Sequence, residues 1–321
     1  MNTGSNMLEN LSFSVNSVLP FFLLILLGAL LAKINIAPKS FFQMANVFTF
    51  KVGLPFQLFY GIAGINSETL PRGSFMLYVA AVTILSFALV WGLAELAYHK
   101  DKAIIGTFVQ GAFRGNYVLI GIPLAGMVLG EGAMHAASVV SIVVIMMHNM
   151  FSVIVLLVRG NAKPESIKKI IRGIVLNPLI MAILLAMPLM FLNIRLPEAA
   201  MRTVMYVGST GMPLGLLSIG GTMSLAGATA RLRPAVYGTI IKILLLPAAV
   251  MPISCLLGYR GEELLILLMM AATPAAASSY IMAAEMKGDG PLAANILILT
   301  TFFSAFTLAA SIYILRLLMF I

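Results

Sequence analysis

Residues Gly111 to Gly126 read GAFRGNYVLIGIPLAG and place one arginine, one asparagine, four glycines and a proline inside an apolar run that should span a bilayer. Pro123 has no amide hydrogen and its ring clashes with the carbonyl four residues back, which leaves the Leu119 carbonyl open. Gly115 and Gly121 lower the cost of unwinding. The stretch reads as a broken transmembrane helix. Irregular backbone at membrane depth survives only where it faces protein or a water-filled cavity, so Arg114 and Asn116 are expected to line such a cavity.

The rest of the chain fits that reading. Of 321 residues 61% are hydrophobic and only 10% charged, with a mean hydropathy of +1.04, more apolar surface than a soluble core of this size buries. A spanning helix needs about 20 apolar residues, and the continuous runs argue against the alternating segments of a β-barrel. The formal charge of +9 would suggest nucleic acid in a soluble protein. Here most basic residues fall in loops between apolar runs, where membrane topology accounts for them, so no nucleic-acid partner is expected. Cys255 is the one cysteine, so no thiolate metal site and no internal disulfide are expected. No His-Glu-x-x-His, phosphate-binding loop or other enzyme constellation occurs, and neither a cofactor nor a catalytic residue is expected.

In order, ten helices are expected: Phe13–Ala32, Ser40–Ala63, Gly73–Tyr98, Ala103–Leu129, Gly132–Val158, Gly173–Leu192, Ala199–Ala226, Ala235–Leu257, Glu263–Met286 and Leu292–Met319. The first is preceded by Glu9 rather than a basic segment and reads as a retained helix. With the amino terminus outside, twelve of the basic residues fall in cytoplasmic loops and five outside, which puts both termini outside. The charged loop at mid-chain divides the sequence into a first five-helix repeat (1–159), a cytoplasmic linker (160–172) and a second repeat (173–321). Pro20 and Pro178 are 158 residues apart, as are Pro55 and Pro213 in Gly53-Leu54-Pro55-Phe56-Gln57-Leu58 and Gly211-Met212-Pro213-Leu214-Gly215-Leu216. Pro123 pairs with Pro274 at a shorter offset. Repeats of five helices insert in opposite orientations, which predicts an inverted repeat with helices 4 and 9 crossing near the midplane.

Helix 9 carries Thr273-Pro274-Ala275-Ala276-Ala277-Ser278-Ser279. Thr273 before Pro274 has the pattern of an N-cap with proline at the first helical position, so a half-helix is expected to start there. Two half-helix amino-terminal ends facing one cavity favour an anion. Arg114 lies too deep to reach the surface, about 18 Å past Lys102 at about 1.5 Å per residue. Its burial costs on the order of 3 kcal/mol. It either meets an anionic ligand or caps the open carbonyls of a broken helix, since Glu95 and Glu285 sit near cytoplasmic ends. Lys51 and Lys242 are open between a coupling or gating role and a structural contact with freed carbonyls. His135 and His148 are open between proton coupling and hydrogen-bonded packing.

The run Asn116-Tyr117-Val118-Leu119-Ile120-Gly121-Ile122-Pro123-Leu124 resembles the crossover of the auxin efflux carrier family. So do Leu54-Pro55, Asn177-Pro178-Leu179-Ile180, Lys242-Ile243-Leu244-Leu245-Leu246-Pro247 and Thr273-Pro274 through Ala284-Glu285. The resemblance implies helices 1, 2, 6 and 7 as a scaffold that often dimerises, helices 3–5 and 8–10 as a moving transport unit, and elevator-type alternating access. It implies that Asn116 contacts the substrate carboxylate. Ser278 stands where many bacterial relatives have asparagine, and Ser279 where plant members have a second proline. The expectation is a secondary transporter, in a bacterial cytoplasmic membrane, of a small carboxylate such as malate, malonate or an auxin-like acid. Its site is expected to comprise Asn116, Arg114, Gly121, Pro123, Thr273, Pro274, Ser278 and Ser279. A sodium-coupled symporter resembling the bile-acid carriers, or an anion channel or membrane sensor, is the alternative.

Overall fold

The computed structural model describes residues 3–65, 70–99, 101–159, 176–222, 231–286 and 288–321, and the regular elements among them are all helical. They are α1 (Thr3–Lys33), α2 (Lys39–Phe48), α3 (Leu54–Ala63), α4 (Gly73–Tyr98), α5 (Lys102–Phe113), α6 (Ile122–Leu129) and α7 (Glu131–Arg159). Then come α8 (Pro178–Phe191), α9 (Glu198–Ser209), α10 (Gly211–Thr222), α11 (Leu232–Ile240), α12 (Leu246–Leu256), α13 (Gly261–Ala272), α14 (Ala277–Glu285) and α15 (Gly290–Leu317). Among the described residues, five stretches are long and apolar enough to cross a membrane: Met7–Lys33, Gly73–Tyr98, Glu131–Arg159, Leu232–Leu256 and Gly290–Leu317. The expected linker 160–172 lies outside the described residues, as do Lys100, Lys287 and the expected end of helix 7 at Ala226.

Three segments pass through a wide, π-type turn: Thr49–Gly53 between α2 and α3, Tyr117–Gly121 before α6, and Ile241–Leu245 between α11 and α12. Each ends two residues before a proline, at Pro55, Pro123 and Pro247. One extra residue in the turn moves the clashing carbonyl aside without opening the helix. The amides of Leu54, Ile122 and Leu246 then bond to the carbonyls of Thr49, Tyr117 and Ile241. The expected break at Pro123 is therefore corrected. The backbone is helical from Tyr117 through Leu129, and the non-helical residues are Arg114, Gly115 and Asn116.

Two sets of helices pack among themselves. In one, α1 and α2 lie on α10, and α3 on α8 and α9. In the other, α4, α5 and α6 lie on α7, α11 on α15, and α12 on α13. They meet where α1 packs on α15 and α3 on α7. At one end of the second set, Asp101 caps α5 through the Ile104 amide and Asp289 caps α15 through the Leu292 amide. Arg231, ahead of α11, reaches both carboxylates, at 3.1 and 2.8 Å, and ties the three helix starts together.

Backbones approach closely where glycine permits it. A Cβ on Gly220 of α10 would stand 1.8 Å from the Ile25 carbonyl oxygen of α1, and one on Gly28 would stand 2.1 Å from that of Leu217. Gly53 and Gly211, the first residues of the two matching six-residue runs, also touch. A Cβ on Gly53 would lie 2.5 Å from the Gly211 Cα, and Thr49 Oγ1 donates to the Gly211 carbonyl at 3.4 Å.

Gly220→Val should force α1 and α10 apart and lower stability by about 2–3 kcal/mol, the upper part of the overpacking range. Gly92→Ala on α4, where an added Cβ meets nothing within 4 Å, should be neutral or raise stability by up to about 1 kcal/mol. Thermal unfolding of the detergent-purified variants checks both, and equal midpoints would refute the close-approach account.

Candidate functional site

α5 stops at Phe113, where Gly115 and Asn116 bring low helix propensity together. α13 stops at Ala272, because Pro274 pushes Thr273 out of the helical region, to φ −62° and ψ 146°. The two interrupted backbones then pair with each other as an antiparallel bridge between Gly115 and Ala275. The Asn116 amide donates to the Pro274 carbonyl at 2.7 Å, and the Ala276 amide to the Arg114 carbonyl at 3.2 Å. Helix resumes at Tyr117 on one side and Ala277 on the other.

This corrects two expectations. Thr273 is the final cap of α13 rather than the N-cap of a helix opening at Pro274, because residues 274–276 are held extended by the pairing. The second is the position of the break: Pro274 lies opposite Gly115 and Asn116, and Pro123 sits farther along, in the first turn of α6. Gly115 is required for steric reasons: an added Cβ would lie 2.6 Å from Thr273 Oγ1 and 3.0 Å from Lys242 Nζ. Gly121 faces Met269 and Thr273 across the same contact, at 3.3 and 3.5 Å from the position of an added Cβ.

Two cations are buried beside the crossing. Lys242, fully buried, donates from Nζ to the carbonyls of Ala271 at 2.9 Å and of Met270 and Phe113 at 3.4 Å each. Arg114, 9% exposed, donates to Asn149 Oδ1 at 2.9 Å and lies 3.9 Å from Met282 Sδ. Among the described residues no carboxylate lies within ion-pair distance of either. Among the described residues, Asn116 Nδ2, Thr273 Oγ1, Ser279 Oγ, Ser152 Oγ and both side-chain amide atoms of Gln110 are buried with no hydrogen-bond partner. Gln110 lies four residues before Arg114, Ser152 one helical turn from Asn149, and Ser279 one turn from Met282, so each follows or precedes a residue of the arginine's contact by one turn of chain.

The remaining candidates separate. His148 packs edge-on against Phe113, ring centroids 5.0 Å apart, and lines a cavity of about 10 Å³ with Lys242, Thr83 and Ser86. That space holds about one water. His135 lies elsewhere, on the face of α7 that meets α3, where Nδ1 pairs with the Gly61 carbonyl at 2.8 Å. Ser278 is half-buried. Lys51 is exposed on the wide turn after α2, which packs on α8, α9 and α10. The lysine that meets freed carbonyls is therefore Lys242. Sequence reading passed over Gln110, Asn149 and Ser152, although Gln110 precedes Arg114 by four residues and Asn149 follows His148 directly.

Among known proteins, the family model described as "Membrane transport protein" matches residues 13–312. A protein of Rhizobium meliloti (strain 1021) with the name "Putative malonate transporter" is 26% identical over 213 residues. The match covers 65% of this chain and 66% of that protein, just under two thirds of its length.

Asn149→Ala removes the oxygen acceptor of a buried guanidinium. It should cost about 1.5–3 kcal/mol, the range for a hydrogen bond to a charged group, measured as a fall in the thermal unfolding midpoint. A midpoint equal to that of the parent protein would show that Arg114 is satisfied by other groups.

Proposed function

The chain belongs to the membrane transport protein family, that of the auxin efflux carriers, and from that premise we propose that it is a secondary transporter of a small organic anion, a carboxylate such as malonate or malate. The observation that carries the reading is Arg114, a buried cation whose described partners are a neutral amide and a thioether. A buried guanidinium favours a countercharge, and a carboxylate matches its planar fork. The unpartnered side-chain Nδ2 of Asn116 and the hydroxyls of Thr273 and Ser279 supply further donors. The name of the Rhizobium meliloti relative agrees with this substrate class.

The same proposal includes ten helices in two inverted five-helix repeats, 1–159 and 173–321, joined by a cytoplasmic linker at 160–172. Two features support it. Gly53 and Gly211, matched at one sequence offset, touch each other, as residues beside a pseudo-two-fold axis must. The bridge at Gly115 and Ala275 is antiparallel, the arrangement that such an axis generates. Helices 1, 2, 6 and 7 form the scaffold and the dimer interface in this reading, helices 3–5 and 8–10 the moving unit of an elevator, and the protein sits in a bacterial cytoplasmic membrane with both termini outside. The packing of the helices into two sets supports that division.

The test is thermal stability of the purified protein against mono- and dicarboxylates, neutral analogues and amines. A ligand at a hundredfold excess over its Kd stabilises the folded state by about 2.7 kcal/mol. Malonate or a related acid should raise the midpoint, and the rise should vanish in Arg114→Ala and Asn116→Ala. Stabilisation by amines alone, or by acids equally in both variants, overturns the assignment.

A further inference from the structure

The two buried cations have different environments, and the difference assigns them different work. Phe113 is the last residue of α5, and Met270 and Ala271 belong to the last turn of α13. The last four carbonyls of a helix have no partner within it, and its carboxyl-terminal end carries roughly half a negative charge. Two such ends from the two halves of the chain converge on Lys242 Nζ, at 2.9 to 3.4 Å. Their combined charge is close to one, and the ammonium supplies one of the opposite sign. Lys242 is thereby neutralised by backbone, whereas Arg114 has no such sink.

Three backbone oxygens at helix ends are also the ligand set by which carriers with interrupted helices hold a monovalent metal ion. In this chain an amine on a side chain occupies the centre of that set. The approach is close because residue 115 has no side chain: its Cβ would stand 3.0 Å from the amine. The amine therefore lies directly against the paired backbone that presents Asn116. The small cavity beside it is lined by Thr83, Ser86, Phe113, His148, Met270 and Ala271, so loss of the side chain would open a space walled by the three carbonyl-bearing residues.

We propose that Lys242 is a tethered cation that takes the place of a bound monovalent metal ion at the crossing: it neutralises the ends of α5 and α13 and so positions Asn116 without an ion from solution. Lys242 is a positioning residue in this account. The site assembles without sodium, and truncating the lysine converts the crossing into a site for a small free cation. Only the ligand-binding arm of the test rests on the transport reading above.

The test uses the full-length purified protein with no substrate, in choline, sodium, potassium or methylammonium chloride at equal ionic strength. The parent's unfolding midpoint should be the same in all four salts. Lys242→Ala should unfold on the order of 5 °C lower in choline and recover at least half of the loss in methylammonium or sodium. Lys242→Met, whose side chain fills the space without donating, should be lowered and not recover. In the second arm, malonate binding by the parent should be independent of sodium, and that of Lys242→Ala should be lost in choline and return with methylammonium.

A parent protein whose stability or malonate binding needs sodium overturns the proposal, as does a Lys242→Ala protein indifferent to the cation. If Lys242→Ala does not survive purification, Lys242→Arg serves, since it keeps the charge. A loss as large as that of Lys242→Met would then refute the role of the charge. If the parent binds no carboxylate at all, the transport reading fails while the pattern of midpoints still decides the role of Lys242.

Discussion

The structure depends on one constraint: backbone polar groups removed from water must find partners. Two chain segments leave the helical path, at residues 114–116 and 274–276, and each satisfies the other. The Asn116 amide uses the Pro274 carbonyl, and the Ala276 amide uses the Arg114 carbonyl. Everything at the candidate site follows from the closeness of that pairing. It requires Gly115, because a side chain there would strike Thr273 Oγ1 and the Lys242 amine. It also interrupts α5 and α13 side by side, which brings their unpartnered carbonyls together and creates the need for Lys242.

Pro123 and Pro274 show that a proline in an apolar helix has two structural outcomes. Before Pro274 the helix ends, because Thr273 adopts an extended conformation and the next residues have a strand partner waiting. Before Pro123, and likewise before Pro55 and Pro247, the helix widens by one residue and continues, with its own backbone accepting the amide that follows the turn. At this crossing the break coincides with a second interrupted segment, whereas the other three prolines sit in the first turn of a helix that continues.

This explains how far the sequence was legible. Length, apolar runs and charge were enough for an all-helical chain with membrane-crossing segments, and Gly73–Tyr98 has the same bounds in sequence reading and structure. Arg114, Asn116 and Thr273 stood out because they are polar in apolar surroundings, and the structure brings them to one crossing. The position of the break did not follow, because it is fixed by a contact across some 160 residues of sequence, Gly115 with Ala275. The same reason hid the partner of each cation. Lys51 and Lys242 both precede a proline within a wide turn, yet one is exposed and the other fully buried, a difference decided by which helices pack alongside. Asn149 is one of many polar residues in α7 until Arg114, from the interruption after α5, selects it.

The arrangement also bears on the proposed motion. The paired segments, Lys242, Asn149 and Ser279 all lie within one packed set, and the polar atoms near the crossing are buried, with room for about one water beside Lys242. A carboxylate larger than water therefore reaches them only if helices move. Opening the crossing itself would leave the freed backbone groups of residues 114–116 and 274–276 unpaired, at about 1–3 kcal/mol for each buried donor or acceptor. The seam between the two sets is held by side chains instead: where α1 meets α15, Arg316 donates to Asn10 Oδ1 at 3.1 Å and lies over the Phe13 ring, and along α3 His135 pairs with the Gly61 carbonyl. Side-chain bonds can be exchanged for others or for water, so the proposed transport cycle carries the intact site along the seam, as an elevator would, and keeps the backbone pairing at the crossing closed.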